Sequence, residues 1–124
     1  MTKLVLMFAA GGLGAMARFG LGGLIQRWLG GGFPYGTFVI NVLGCLMFGL
    51  IWSLAEDRLV ISGDTRLILL TGFMGSFTTF STFAFETTGL LRNSEWFFAM
   101  GNILGQTILG LLAVVGGMAL GRLL

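Results

Sequence analysis

Gly72-Phe73-Met74-Gly75-Ser76-Phe77-Thr78-Thr79-Phe80-Ser81-Thr82-Phe83 lies inside an apolar run from Leu67 to Leu91. Five of the seven residues from Ser76 to Thr82 carry hydroxyls, beside Gly75. Ser and Thr compete with the backbone for hydrogen bonds, and Gly lowers helix stability. One or two hydroxyls in a helix simply bond back to the preceding turn. Five beside a glycine read instead as an interrupted helix. Where a helix breaks inside a bilayer, the freed backbone groups must be buried in protein or line a polar cavity. Such breaks build ion sites from carbonyls and helix ends.

The rest of the chain gives this break its surroundings. Of 124 residues, 56% are hydrophobic and 10% charged, against about 25% charged in soluble domains. Apolar runs occur at residues 4–25, 37–55, 67–91 and 96–120, each near the ~20 residues a membrane span needs. The expectation is a single all-α domain of four transmembrane helices, the third broken at mid-membrane, with little mass outside the lipid bilayer. A water-soluble catalytic domain and a nucleic-acid-binding domain are excluded. The net charge of +2 comes from scattered loop residues. Lys3, an apolar run and Ala15-Met16-Ala17 imitate a signal peptide, but nothing downstream resembles a secreted domain.

Cys45 is the only cysteine and there is no histidine. An intrachain disulfide and His-based zinc or proton-relay chemistry are therefore absent, and Cys45 reads as a small packing residue. No catalytic set is present, so the chain reads as a non-enzyme. What remains is ion handling in a narrow polar track.

The first span carries many glycines, which let membrane helices approach closely. Arg18 lies roughly 21 Å along it, and either snorkels to an interface or faces protein and water. Asn41, about one turn into the second span, is either interhelical glue or a pore-lining donor, since its amide offers two N–H groups. Loop 2, residues 56–66, collects Glu56, Asp57, Arg58, Asp64 and Arg66 and reads as a solvated connector. Glu86 is an acid near or within the third span, a functional candidate by position. Asn102 and Gln106 form a polar pair at helical spacing on the fourth span. Gly101-x-x-x-Gly105 and Gly117-x-x-x-Gly121 make close-packing faces, within the subunit or against a second copy. Phe80 and Phe83, three apart, share one helical face, as core packing or with ring edges turned to an anion.

With four spans, the termini and loop 2 share one side, which holds Lys3, Arg58, Arg66 and Arg122; the other holds Arg27 and Arg92, plus Arg18 if it snorkels there. That bias is too weak to set one orientation, so the chain is expected to insert both ways.

Three blocks carry a resemblance over all four spans: Gly11-Gly12-x-Gly14-Ala15-x-x-Arg18-Phe19; Gly36-Thr37-Phe38-x-x-Asn41-x-x-Gly44; and Thr71-Gly72-x-x-Gly75-x-x-Thr78-Thr79-Phe80-Ser81-Thr82-Phe83-x-x-Glu86. The third is highly specific. The chain resembles the Fluc family of fluoride channels, also called CrcB. The resemblance implies a passive exporter of fluoride in the bacterial inner membrane. It implies an antiparallel, dual-topology homodimer with two pores and a structural Na+ at the dimer centre. By that match the Na+ is held through the backbone carbonyls of Gly75 and Thr78. The pore phenylalanines match Phe80 and Phe83, the pore asparagine Asn41, and the hydroxyl track Ser81 and Thr82. The first-span arginine matches Arg18 and the vestibule threonine Thr37. On the fourth span Asn102 and Gln106 fall on the family's polar track by spacing, while Gly110, next in line, has no side chain to offer.

Two other readings compete. A small dual-topology multidrug transporter relies on a first-span glutamate, and the first span here has no acid. A non-transporting membrane assembly subunit explains the glycines but not the Thr/Ser/Phe cluster.

Overall fold

Long apolar runs without internal proline become helices, and their ends fall where the sequence supplies stops. The computed structural model describes residues 1–124. Helix α1 spans Thr2–Leu29, α2 Tyr35–Glu56, α3 Gly63–Leu67, α4 Gly75–Phe77, α5 Phe80–Arg92 and α6 Trp96–Leu123; a π-helical stretch, Ile68–Met74, joins α3 to α4. Four units are long and apolar enough to cross a membrane: α1, α2, the composite span Gly63–Arg92, and α6. The protein is all-helical, with a bend in its third span.

Helix α1 runs about a turn beyond residues 4–25 at its C-terminal end. It stops where Gly30 and Gly31 take positive φ, 57° and 76°, a conformation only glycine adopts without strain. Gln26 then stitches the turn: its Nε2 donates to Phe33 O (3.0 Å), and its Oε1 accepts from Gly36 N (3.0 Å). Loop 2 is exposed along most of its length, as a solvated connector is, and it is also ordered. Ser62 Oγ caps α3 by accepting from Thr65 N (3.2 Å). The loop's charges pair with one another and with span ends: Lys3 with Asp64 at 3.2 Å, and Arg66 with Glu56.

Helices α2 and α6 form the tightest seam. A Cβ on Gly49 would run into Val114 O, and one on Gly117 into Leu46 O. Each backbone therefore lies against the other, an approach only small residues permit. Gly121 faces Ser53, and Gly105 meets the Phe38 ring, so these glycine faces pack within the subunit. At the end of the seam Ser53 Oγ donates to Asp57 Oδ2 (2.9 Å), Arg122 Nε donates to the same oxygen (3.1 Å), and Arg58 donates to Arg122 O (2.8 Å).

On the other side α1 lies across the π-helical stretch, with Gly14 against Phe73 O. The buried cluster Ile40, Leu70, Met74 and Phe77 fills the space behind the break and holds it in place.

Candidate functional site

The third span breaks halfway along its length. Thr78 (φ −91°, ψ 159°) and Thr79 (φ −151°, ψ 114°) are both extended. The hydroxyls explain the local path. Thr78 closes α4 twice, its N–H and its Oγ1 both donating to Met74 O (3.1 and 3.0 Å). Thr79 opens α5 as its N-cap, Oγ1 accepting from Thr82 N (3.2 Å), the role for which Thr is favoured.

This exchange redirects two backbone donors. In a continuous helix Thr79 N–H would bond Gly75 O, and Thr82 N–H would bond Thr78 O. Here Thr79 N–H donates to Asn41 Oδ1 (2.9 Å) and Thr82 N–H to Thr79 Oγ1. The carbonyls of Gly75 and Thr78 thus lose their α-helical partners. Ser76 O is taken instead by Arg18 Nε at 3.0 Å, so Arg18 points inward onto the break.

Asn41 bridges α2 to the break. Its Nδ2 donates to Thr79 O (3.0 Å) while its Oδ1 accepts from Thr79 N, a two-point clamp on one residue's backbone. The second Nδ2 hydrogen goes to Gln106 Oε1 (2.8 Å). From there an amide chain runs inward: Gln106 Nε2 donates to Asn102 Oδ1 (2.9 Å), and Asn102 Nδ2 donates to Thr87 Oγ1 (2.9 Å). Asn102 is fully buried and Thr87 buried, so every link replaces hydration the membrane cannot supply. Gly44 makes the approach possible, since a Cβ there would strike the Thr78 methyl group.

Two hollows flank the break, and Thr79 lines both. The first, about 350 Å³, is walled by Asn41, Phe80, Phe83, Gln106 and Thr107. The Phe80 and Phe83 rings sit 5.6 Å apart at a 47° tilt. The second, also about 350 Å³, is lined by Arg18, Thr37 and Glu86. Glu86 also borders a third hollow of about 450 Å³ with Gln26, Asn93 and Glu95. Glu86 Oε1 is the one buried side-chain polar atom without a hydrogen-bond partner. An orphaned buried oxygen is rare and marks strain, function or a missing partner.

The structure therefore divides the residues singled out by sequence into three sets. Asn41, Phe80, Phe83 and Gln106 share one groove. Arg18, Thr37 and Glu86 share the cavity across the break. Ser81 and Thr82 cluster with the Thr79 hydroxyl (3.4 and 2.9 Å), outside both hollows, and Asn102 stands behind Gln106. Sequence reasoning gave no role of their own to Thr79, which stands in the third motif block, to Thr107, which adjoins Gln106, or to Thr87. The Thr79-x-x-Thr82 spacing is an N-cap signal that could have found the first. Nothing local distinguishes the other two.

The model of the CrcB-like protein, Camphor Resistance (CrcB) family matches residues 5–118. A protein of Nitrosococcus oceani called fluoride-specific ion channel FluC is 51% identical over 122 residues, covering 98% of each chain. A like-named protein of Nitratidesulfovibrio vulgaris (strain Miyazaki F) is 51% identical over 123 residues, 99% of each. One of Chloroflexus aurantiacus is 43% identical over 122 residues, 98% of this chain and 97% of that one. With four spanning helices and bacterial relatives, this is a multi-pass protein of the bacterial inner membrane. Matched along almost its whole length, the chain belongs to the CrcB family.

Proposed function

We propose that the protein is a fluoride-selective channel through which cytoplasmic fluoride leaves passively, working as a homodimer of two oppositely oriented copies. The observation that carries this reading is the Asn41–Thr79–Gln106 cluster set against Phe80 and Phe83 at a helix break. The relatives named fluoride-specific ion channels support it.

Fluoride is small and strongly hydrated, so a pore must replace its lost water with directed positive dipoles. Amide and hydroxyl hydrogens supply these strongly, and aromatic ring edges more weakly. The groove offers Asn41, Gln106 and Thr107 beside two phenylalanine rings. On the far side Arg18 lends positive charge to the second cavity.

A second copy follows from the membrane's demands. Gly75 is exposed in the single chain, yet its carbonyl has lost its helical partner. Lipid cannot satisfy such a group, so protein must cover it. Phe80, 78% exposed, needs the same cover if the groove is to close into a pore. The weak charge bias between the two sides allows the covering copy to be inverted.

The carbonyls of Gly75 and Thr78 also fit a structural Na+: they are hard oxygen donors, freed by the break, of the kind alkali cations take. Gly75 and Thr78 would hold the ion through these carbonyls, and it would supply fixed positive charge that offsets their dipoles.

Purified protein in liposomes tests the reading. Fluoride should leave without a proton gradient while chloride stays behind; equal retention of both ions would overturn it. A tag on the C-terminus should report both orientations in one membrane, and an experimental structure in saturating sodium should show cation density between the copies.

A further inference from the structure

Both amide hydrogens of Asn41 are already engaged, one on Thr79 O and one on Gln106 Oε1. An anion reaching Asn41 therefore finds no free donor there. Gln106 Oε1, 2.8 Å from Asn41 Nδ2, occupies the place the anion would take. We propose that the chain Gln106–Asn102–Thr87 is a reversible hydrogen-bond relay, whose inversion hands Asn41 and Gln106 together to the passing anion. The proposal rests on the fluoride-channel reading above.

Three features permit it. Asn41 cannot turn over, because Thr79 holds it at both amide atoms, N–H to Oδ1 and C=O to Nδ2. Gln106 and Asn102 have no such backbone clamp. Gln106 bonds only the amides of Asn41 and Asn102, and Asn102 only Gln106 and the Thr87 hydroxyl. The chain ends on a hydroxyl, which can donate as well as accept. Rotating both amides by half a turn reverses the chain. Thr87 Oγ1 then donates to Asn102 Oδ1, Asn102 Nδ2 donates to Gln106 Oε1, and Gln106 Nε2 points at Asn41. No proton changes owner; two amides and one hydroxyl rotate. In the inverted form two amide nitrogens face each other, which is repulsive unless an anion lies between them and the Gln106 head draws back to admit it. The anion therefore selects the inverted form, which is the differential interaction a conformational change requires. One Asn41–Gln106 bond is exchanged for two amide donors on the ion.

Side-chain amide spectra of Asn102 and Gln106, in ¹⁵N-labelled protein in lipid nanodiscs, provide the test. Sodium fluoride should shift the Asn102 amide signals, although Asn102 is buried and one link behind Gln106; sodium chloride should leave them in place. Thr87→Val keeps the shape but removes the terminal hydroxyl. It should abolish the shift and lower fluoride flux per folded dimer about tenfold, the effect of one lost hydrogen bond. Thr87→Ser should restore both. A static tie between α5 and α6 predicts lower thermal stability for Thr87→Val, unchanged flux per folded dimer and no fluoride response at Asn102; that outcome overturns the relay. If Thr87→Val does not fold, the response of Asn102 in the parent chain decides alone. A parent chain that conducts fluoride with Asn102 unmoved defeats the relay only, whereas one that conducts no fluoride defeats the functional reading and the relay with it.

Discussion

The α2–α6 seam and the broken third span both depend on small residues, to opposite ends. In the seam, Gly49 and Gly117 bring two continuous helices into backbone contact, yet no backbone–backbone hydrogen bond crosses from one helix to the other. In the third span, hydroxyls and the Asn41 amide draw backbone donors out of the helix and leave carbonyls free. Glycine by itself tightens packing without opening anything. A polar opening at membrane depth needs side chains that take over the backbone's bonds. The seam is thus the rigid frame, and the break is the place where chemistry can happen.

The largest expected effect attacks the frame. Gly117→Leu would drive a side chain into the Leu46 carbonyl, and overpacking of this kind costs about 3 kcal/mol or more. Folded protein should be lost in size-exclusion chromatography. Gly116→Ala, one residue away with nothing within 4 Å of its Cβ, should behave as the parent. Equal behaviour of the two would mean that the seam is not the frame.

Next in size is Asn41. Asn41→Leu removes the clamp on Thr79 and both donors, whereas Asn41→Asp keeps an acceptor for Thr79 N–H and adds negative charge. Both should slow fluoride flux about 10- to 100-fold, the range for a lost hydrogen bond to an ion. Both should also lower the melting temperature, the leucine variant more, since it loses both points of the clamp where the aspartate keeps the acceptor. Unchanged flux in both would return Asn41 to a purely architectural role.

A smaller effect is expected from the Phe80→Ile, Phe83→Ile double variant, which keeps apolar bulk but removes the ring quadrupoles. Fluoride flux should drop several-fold, up to about tenfold, with the size-exclusion profile unchanged. Normal flux would make the rings wall rather than pathway.

The smallest sits at the end of the frame. The Ser53 hydroxyl and the Arg122 guanidinium hold the Asp57 carboxyl below its ordinary range. A depressed carboxylate stabilises the fold above its unfolded pKa of about 4, and the contribution is lost as pH falls through the lower folded value. Asp57→Asn should therefore melt slightly earlier than the parent at pH 7, and the gap should close toward pH 3. A gap independent of pH would remove charge from the account.

The break was readable in sequence because five hydroxyls beside a glycine have few structural uses in a membrane helix. The four spans were readable because lipid demands long apolar runs. The roles within the break were less so. Ser81 and Thr82 carry the same chemistry as Thr79, but the backbone path makes Thr79 both the cap and a wall of the two hollows and leaves the other two outside them. The π-helical stretch Ile68–Met74 was invisible, since Gly72 marks a weak point in the helix but nothing in the seven residues distinguishes a wide turn from an α-helical one. Thr87 could not be picked out because its importance comes from Asn102, fifteen residues away in the chain.

That π-helical stretch bears on how this chain can change in length. A wide turn whose N–H groups reach five residues back, as Gly75 N does to Leu70 O, holds one residue more than an α-helical turn over the same path. Losing one codon within residues 68–74 would tighten the turn and leave the faces on either side where they were. The same loss in the middle of α6 would swing everything beyond it by about 100°, carrying Gly117 and Gly121 out of the seam. Paired single-residue deletions, scored by the yield of folded protein, should show the third span absorbing an edit that the fourth cannot.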